Sequence, residues 1–173
     1  MSELAFVALG SNLGDRAARL DAALAGLRAT PGVHGVACSS VYETAPVGPP
    51  GQGPYLNAVA RLETGLEPHA LLERLLALER EAGRVRSGVR DEARTLDLDL
   101  LFHGDRCLDG PALTLPHPRL HERLFVLVPL AELAPALVHP RLGRTVAELA
   151  HALAASGASP PDAVRLHRRT PAP

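Results

Sequence analysis

Residues 94–102, Arg-Thr-Leu-Asp-Leu-Asp-Leu-Leu-Phe, constrain this chain more than any other stretch. In a strand, successive side chains point to opposite faces. Leu96, Leu98 and Leu100 then form one apolar face, while Asp97 and Asp99 share the other, about 7 Å apart along the strand. Two like charges at that separation repel, and desolvation adds to the cost, so a cation is expected beside them. Mg²⁺ suits the position because it takes a few carboxylate oxygens and completes its shell with water and phosphate oxygens. An edge strand with a wet, acidic face would show the same pattern, and the alternation alone is compatible with both.

The remainder of the chain supplies a sheet for this strand. Residues 4–9 are an apolar run ended by Gly10-Ser11-Asn12, a buried strand followed by a turn. Leucines at 20, 24 and 27 predict an amphipathic helix over 17–27, stopped by Thr30-Pro31-Gly32. A second strand is expected over 33–42. Residues 43–54 hold four prolines and three glycines, which makes them a long loop, either for binding or disordered. Over 55–64 the alternation returns, with Leu56, Ala58, Ala60 and Leu62 on one face and Tyr55, Asn57 and Val59 on the other. A helix over 66–82 has Pro68 in its first turn and Gly83 at its end. An arginine-rich loop then leads into the acidic strand. Beyond it come turns over 104–110, a short extended piece at 113–115, the extended Pro116-His117-Pro118, and helices over 125–133 and 146–154.

This β-α-β-β-α-β order predicts an α+β, ferredoxin-like sandwich, with helices on one face of an antiparallel sheet. Extra C-terminal helices and two long loops over the open face complete it. A single domain is expected over residues 1–155, followed by a tail, 156–173, rich in Ala, Ser and Pro. Residues 164–166 can add an edge strand there, and the last residues are expected to be disordered.

Charge and composition exclude several functions. A formal net charge of −1 argues against binding nucleic acid through overall charge. The absence of lysine rules out a Walker-type phosphate loop, so any phosphate must be held by arginine and metal. Cys38 and Cys107 form no metal or redox motif. No apolar run reaches membrane-spanning length, and Met1-Ser2-Glu3 lacks the basic start of a signal peptide, so a cytoplasmic protein without a membrane partner is expected.

Four segments complete the pattern in order. Gly10-Ser11-Asn12-Leu13 follows the first strand, and Tyr55-Leu56-Asn57 opens the third. Gly83-Arg84-Val85-Arg86 leads to Arg94-Thr95-Leu96-Asp97-Leu98-Asp99. Leu115-Pro116-His117-Pro118 is followed by Arg123 and Phe125. Together they resemble the 6-hydroxymethyl-7,8-dihydropterin pyrophosphokinases of folate biosynthesis.

The resemblance implies transfer of a pyrophosphoryl group from ATP to the pterin hydroxymethyl oxygen, with release of AMP. It implies two Mg²⁺ ions held by Asp97 and Asp99, and places Asp97 nearest the attacking hydroxyl, where it can help take the proton. Arg84, Arg94 and Arg123 match arginines that hold the triphosphate, and Arg86 and Arg90 align with loop arginines. Catalysis would then rest on Asp97, Asp99, Arg84 and Arg94. His117 matches an ATP contact, Glu79 a residue near the nucleotide, and Leu72, Leu100 and Thr114 positions around it. At helical spacing a surface position is the usual explanation for a glutamate such as Glu79, and plain core packing suits Leu72 and Leu100 at least as well.

For the pterin, Tyr55 and Phe125 match the pair that sandwiches the flat ring. Asn57 matches the side chain that pairs with its amide-like edge. Thr44 and the backbone near Val47 match loop contacts, and Gly10 a close passage of the chain beside the ring. Four positions depart from the pattern. Asp91 stands where some members place a tryptophan that closes over the substrates, and Ala45 where a proline can precede Pro46. Leu76 replaces a polar residue near the nucleotide, and Pro118 stands where some members carry an aromatic. The implied partners are the two small-molecule substrates, and a monomer is expected. A non-catalytic ligand- or RNA-binding module is the alternative, but RNA recognition of that kind needs exposed aromatics and a basic surface, where this strand presents two carboxylates.

Overall fold

In a computed structural model of the chain, which describes residues 2–46, 51–84, 93–157 and 163–170, strand β1 (Glu3–Ser11) runs through the middle of an antiparallel sheet. It pairs on one side with β5 (Asp97–His103) and on the other with β4 (Tyr55–Thr64). Two short strands lie along the far side of β4, β2 (Val33–Cys38) on its second half and β3 (Val41–Thr44) on its first. The edge beyond β3 is β10 (Val164–Arg168), within the expected tail. Two small hairpins, β6 (Leu108–Asp109) with β7 (Thr114–Leu115) and β8 (Val138–His139) with β9 (Arg144–Thr145), sit apart from the main sheet. The first of these places a short strand where only turns were expected.

Helices α1 (Arg16–Arg28) and α2 (Pro68–Glu81) cover one face. Asp15 caps α1 by accepting from the Ala18 N–H at 3.0 Å, and Pro68 begins α2, where its missing N–H costs nothing. Their leucines 20, 24, 27, 71, 75 and 78 pack on Ala5, Val7 and Leu9 of β1, the even-numbered residues 56–62 of β4, and Leu98 and Leu100 of β5. The leucines of the acidic strand therefore build the core, as alternation requires.

The opposite face is not left open along its whole length. Helices α3 (Leu124–Leu133) and α4 (Val146–Ala155), the latter started by a Thr145–Glu148 capping box, cover one end of it. There Val126, Leu127, Leu130, Val146 and Leu149 bury Phe6, Val59, Leu101 and Phe102. Strict alternation would send Phe102 to the first core. Phe6 faces Phe102 but Val7 faces Leu100, so Leu101 is an extra residue on β5, and this bulge turns Leu101 and Phe102 to the same side. The uncovered remainder of the face holds Gly10, Asn57, Asp97 and Asp99.

The strand expected over 33–42 is broken at Ser39–Ser40. Ser39 Oγ accepts from the Val59 N–H at 2.9 Å, and Ser40 donates its N–H and Oγ to Glu132 at 3.0 and 2.8 Å. Glu132 lies on α3, so no local pattern announces the break.

Candidate active site

Three adjacent strands place Asn57, Gly10 and Asp97 in one row, with Gly10 in register with both neighbours. A Cβ on Gly10 would lie 3.2 Å from Asn57 Oδ1 and 3.7 Å from Tyr55 Cδ1, so glycine keeps this floor clear. Above it is a cleft of about 170 Å³. Tyr55 and Asn57 line it from β4, Thr44 from β3, Phe125 and Arg123 from the start of α3, and Arg94, Asp97 and Asp99 from the opposite wall. Asn57 Nδ2 donates to Thr44 Oγ1 at 2.7 Å, and both side chains are buried. That bond orients the amide, whose Oδ1 lies beside Gly10.

The charges are concentrated on the acidic strand. Asp97 accepts from Arg84 Nη1 at 2.6 Å through Oδ1 and from Arg94 Nη1 at 2.8 Å through Oδ2. Asp99 Oδ2 lies 3.5 Å from Arg123 Nη1 and 3.9 Å from His117 Nε2. Burial, and then the charge of Asp97, push the Asp99 carboxyl above its ordinary range. Burial pulls the His117 imidazole below its ordinary range although Asp99 opposes this. Arg94 Nε is buried with no hydrogen-bond partner among the described residues.

These residues fit Mg²⁺. Among the described residues no three His, Cys, Asp or Glu side chains gather into a closed metal cage. Two carboxylates on one face give the open, all-oxygen donor set that Mg²⁺ shares with water and phosphate. A cation would also offset the burial, and the repulsion from Asp97, that lift Asp99.

The model of the family described as 7,8-dihydro-6-hydroxymethylpterin-pyrophosphokinase (HPPK) matches residues 6–135. This chain belongs to that family. It is 46% identical over 145 residues to the 2-amino-4-hydroxy-6-hydroxymethyldihydropteridine pyrophosphokinase of Synechocystis, covering 84% of this chain and 73% of the relative. The enzyme of the same name from Pseudomonas aeruginosa is also 46% identical, over 149 residues, 86% of this chain and 91% of the relative. A crystal structure of Plasmodium falciparum HPPK-DHPS A437G with SDX-DHP superposes with a TM-score of 0.70 at 14% identity, which speaks for the fold. That match covers 90% of this chain but only 46% of the Plasmodium chain, so this chain spans less than half of that protein.

Of the residues expected to serve an HPPK site, Gly10, Thr44, Tyr55, Asn57, Arg94, Asp97, Asp99, Arg123 and Phe125 line one cleft. Arg84 donates to Asp97 and lines a second hollow with Leu76, Glu79 and Arg80. His117 stands beside Asp99. Leu100 is buried in the first core, Leu72 packs against that core, and Thr114 lies on β7; none of the three lines the cleft. Val47, Arg86, Arg90 and Asp91 lie outside the described residues.

Glu79 is no surface glutamate. It is 2% exposed, accepts the Leu98 N–H at 2.8 Å, and pairs with Arg84. It thus holds the acidic strand and one of its arginines together. Ser11 and Asn12 belong to a motif visible in the sequence, yet their work was not legible there. Ser11 Oγ donates to the Thr95 carbonyl at 2.7 Å. Asn12 Oδ1 accepts the Arg94 N–H at 2.7 Å, while its Nδ2 donates to Gln52 Oε1 at 3.1 Å and the Gly53 carbonyl at 3.4 Å. Arg119 and Glu122 also line the cleft, and their closeness to His117 was the one available signal.

Proposed function

We propose that this chain transfers the pyrophosphoryl group of ATP to the hydroxymethyl oxygen of 6-hydroxymethyl-7,8-dihydropterin, releasing AMP, as an enzyme of folate biosynthesis. One observation carries this: Asp97, with Arg84 and Arg94 bonded to it, lies across a single glycine from Asn57. A phosphate site and a flat, polar-edged ring site therefore share one cleft.

The new bond joins the pterin oxygen to the β-phosphorus, the bond from that phosphorus to the α,β-bridging oxygen breaks, and AMP departs. Such a transfer depends on positioning and on control of phosphate charge. Arg84, Arg94 and Arg123 hold the triphosphate bidentately, exchanging carboxylate partners for phosphate oxygens, and His117 donates to a phosphate. Tyr55 and Phe125 clasp the ring, Asn57 pairs with its amide-like edge, and Thr44 keeps that amide oriented. Asp97, nearest the attacking hydroxyl, helps to take its proton. Asp97 and Asp99 would hold Mg²⁺, two ions in this reading, whose charge neutralises the phosphate oxygens.

The finer architecture belongs to the same reading. The order β5-β1-β4 with β2 and β3 sharing the next position, all antiparallel, supports a ferredoxin-like plan. By the family resemblance Val47 would contact the pterin and Arg86 and Arg90 the nucleotide, with Glu79 near that nucleotide. The enzyme acts as a monomer in the cytoplasm, with residues 1–155 as its catalytic domain. No helix among the described residues is long and apolar enough to cross a membrane.

The deciding assay measures AMP release from ATP and Mg²⁺ with and without the hydroxymethyl-dihydropterin. AMP should appear only when the pterin is present. Nucleotide binding without pterin-dependent AMP would overturn the reading in favour of a binding module.

A further inference from the structure

The family match ends at residue 135, yet a strand beyond it pairs with β3, whose last residue, Thr44, lines the cleft. Strand β10 pairs with β3 in the register Val164 to Thr44, Arg165 to Glu43 and Leu166 to Tyr42. Strand β3 has only four residues and leads directly into the proline-rich loop. Without β10 it would be a short edge, and short edges open readily because one row of their backbone groups is unpaired. Its last residue, Thr44, holds the amide of Asn57.

The far end of β10 is anchored on both sides. Arg168 makes two hydrogen bonds to the Asp21 carboxylate on α1, at 2.6 and 3.1 Å. Thr170 Oγ1 donates to the Ser39 carbonyl at 2.9 Å, at the break between β2 and β3. The other root of the loop has its own tie, since Arg16 Nη1 reaches both Glu43 Oε2 at 3.0 Å and the Pro54 carbonyl at 2.8 Å.

From this arrangement we propose that β10 is a positioning strap for the pterin side of the cleft. It holds β3 against β4, so that Thr44 and Asn57 keep the geometry that selects the ring edge. The ATP side, built on β5 and α2, makes no use of it. The assignment of the ligand rests on the proposed function above; the mechanical claim about Thr44 does not.

The test compares the full chain with Leu166→Pro, which interrupts the β10 pairing, and with Arg168→Asp, which sets two carboxylates against each other. The doubly changed Asp21→Arg/Arg168→Asp restores the pair. Amide exchange at Thr44 and the KM for each substrate are the readouts. Leu166→Pro should speed Thr44 exchange and raise the pterin KM roughly three- to tenfold, with the ATP KM changed less than about twofold. Arg168→Asp should move both in the same direction by less, and the charge swap should recover them; this pair decides the matter if Leu166→Pro does not fold. Unchanged Thr44 exchange, or both KM values rising together with a falling melting temperature, would overturn the strap. Absence of pterin-dependent AMP release in the unaltered chain would instead overturn the functional reading, and Thr44 exchange would still judge the strap.

Discussion

Asn12 and Arg94 are joined by two hydrogen bonds: the Asn12 side chain accepts the Arg94 N–H at 2.7 Å, and the Asn12 N–H donates to the Arg94 carbonyl at 3.1 Å. The first strand therefore fixes the entry to the acidic strand 82 residues later. Because Asn12 Nδ2 also reaches Gln52 and Gly53, one buried amide touches the ends of both loops that border the cleft.

Asn12→Ala and Asn12→Asp should separate these two tasks. Alanine leaves the Arg94 N–H without its acceptor and should raise the KM for both substrates, by roughly tenfold each. Aspartate keeps that acceptor but faces Gln52 Oε1 and the Gly53 carbonyl with a second one, so the pterin KM should rise more than the ATP KM. Steady-state kinetics with each substrate varied in turn is the measurement. Equal shifts in the aspartate variant would show that the amide does not serve the two loops separately.

Gly10→Ala tests the floor. The added methyl would press on Asn57 Oδ1 at 3.2 Å, tighter than an ordinary contact, in the space between the amide and Asp97. The expected result is a pterin KM raised roughly tenfold with the fold retained, because the intrusion is into the cleft rather than the core. Circular dichroism and pterin titration would show it.

Glu79→Ala should cost about 1–3 kcal/mol in urea denaturation, since it strips the acceptor from the Leu98 N–H and a partner from buried Arg84. Glu79→Gln keeps an acceptor for Leu98 and should recover much of the stability while still weakening ATP binding, because Arg84 loses the carboxylate that fixes the position of its guanidinium. If the glutamine variant bound ATP normally, Glu79 would be a purely structural residue.

Much of this site could be read from local spacing. The i, i+2 alternation of 96–100 placed three leucines in the core and two aspartates in the cleft, and Tyr55 and Asn57 faced the cleft by the same rule. What escaped was non-local. Glu132 breaks a strand from 92 residues away, and Glu79 reads as surface on its helix because its partner is a backbone N–H of β5. The bulge at Leu101 was equally hidden, since it appears only when β1 and β5 are laid side by side. Leu100 is buried in the first core and Leu72 packs against it.

The acidic pair makes a prediction whose sign differs for stability and for turnover. Asp99 holds its proton more tightly in the folded state than in the unfolded one, because burial and Asp97 disfavour its charge. The stability it contributes is thus fully present below the ordinary carboxyl range, near pH 4, and is lost as pH rises through its raised native value. At neutral pH the ligand-free protein bears the cost of this buried, repelled charge without a metal beside it. Asp99→Asn removes it, so the variant should melt at a higher temperature than the original chain at pH 7, with the difference vanishing toward pH 4. Addition of Mg²⁺ with a non-hydrolysable ATP analogue should reverse the ranking, stabilising the original chain and doing little for the variant. The kcat of the variant should fall by roughly a hundredfold or more, as loss of a metal ligand implies. Melting curves at several pH values, with and without Mg²⁺ and the analogue, read both signs in one experiment. A variant less stable than the original without ligands would mean that Arg123 and His117 already offset the charge of Asp99, and that no metal is needed to relieve it.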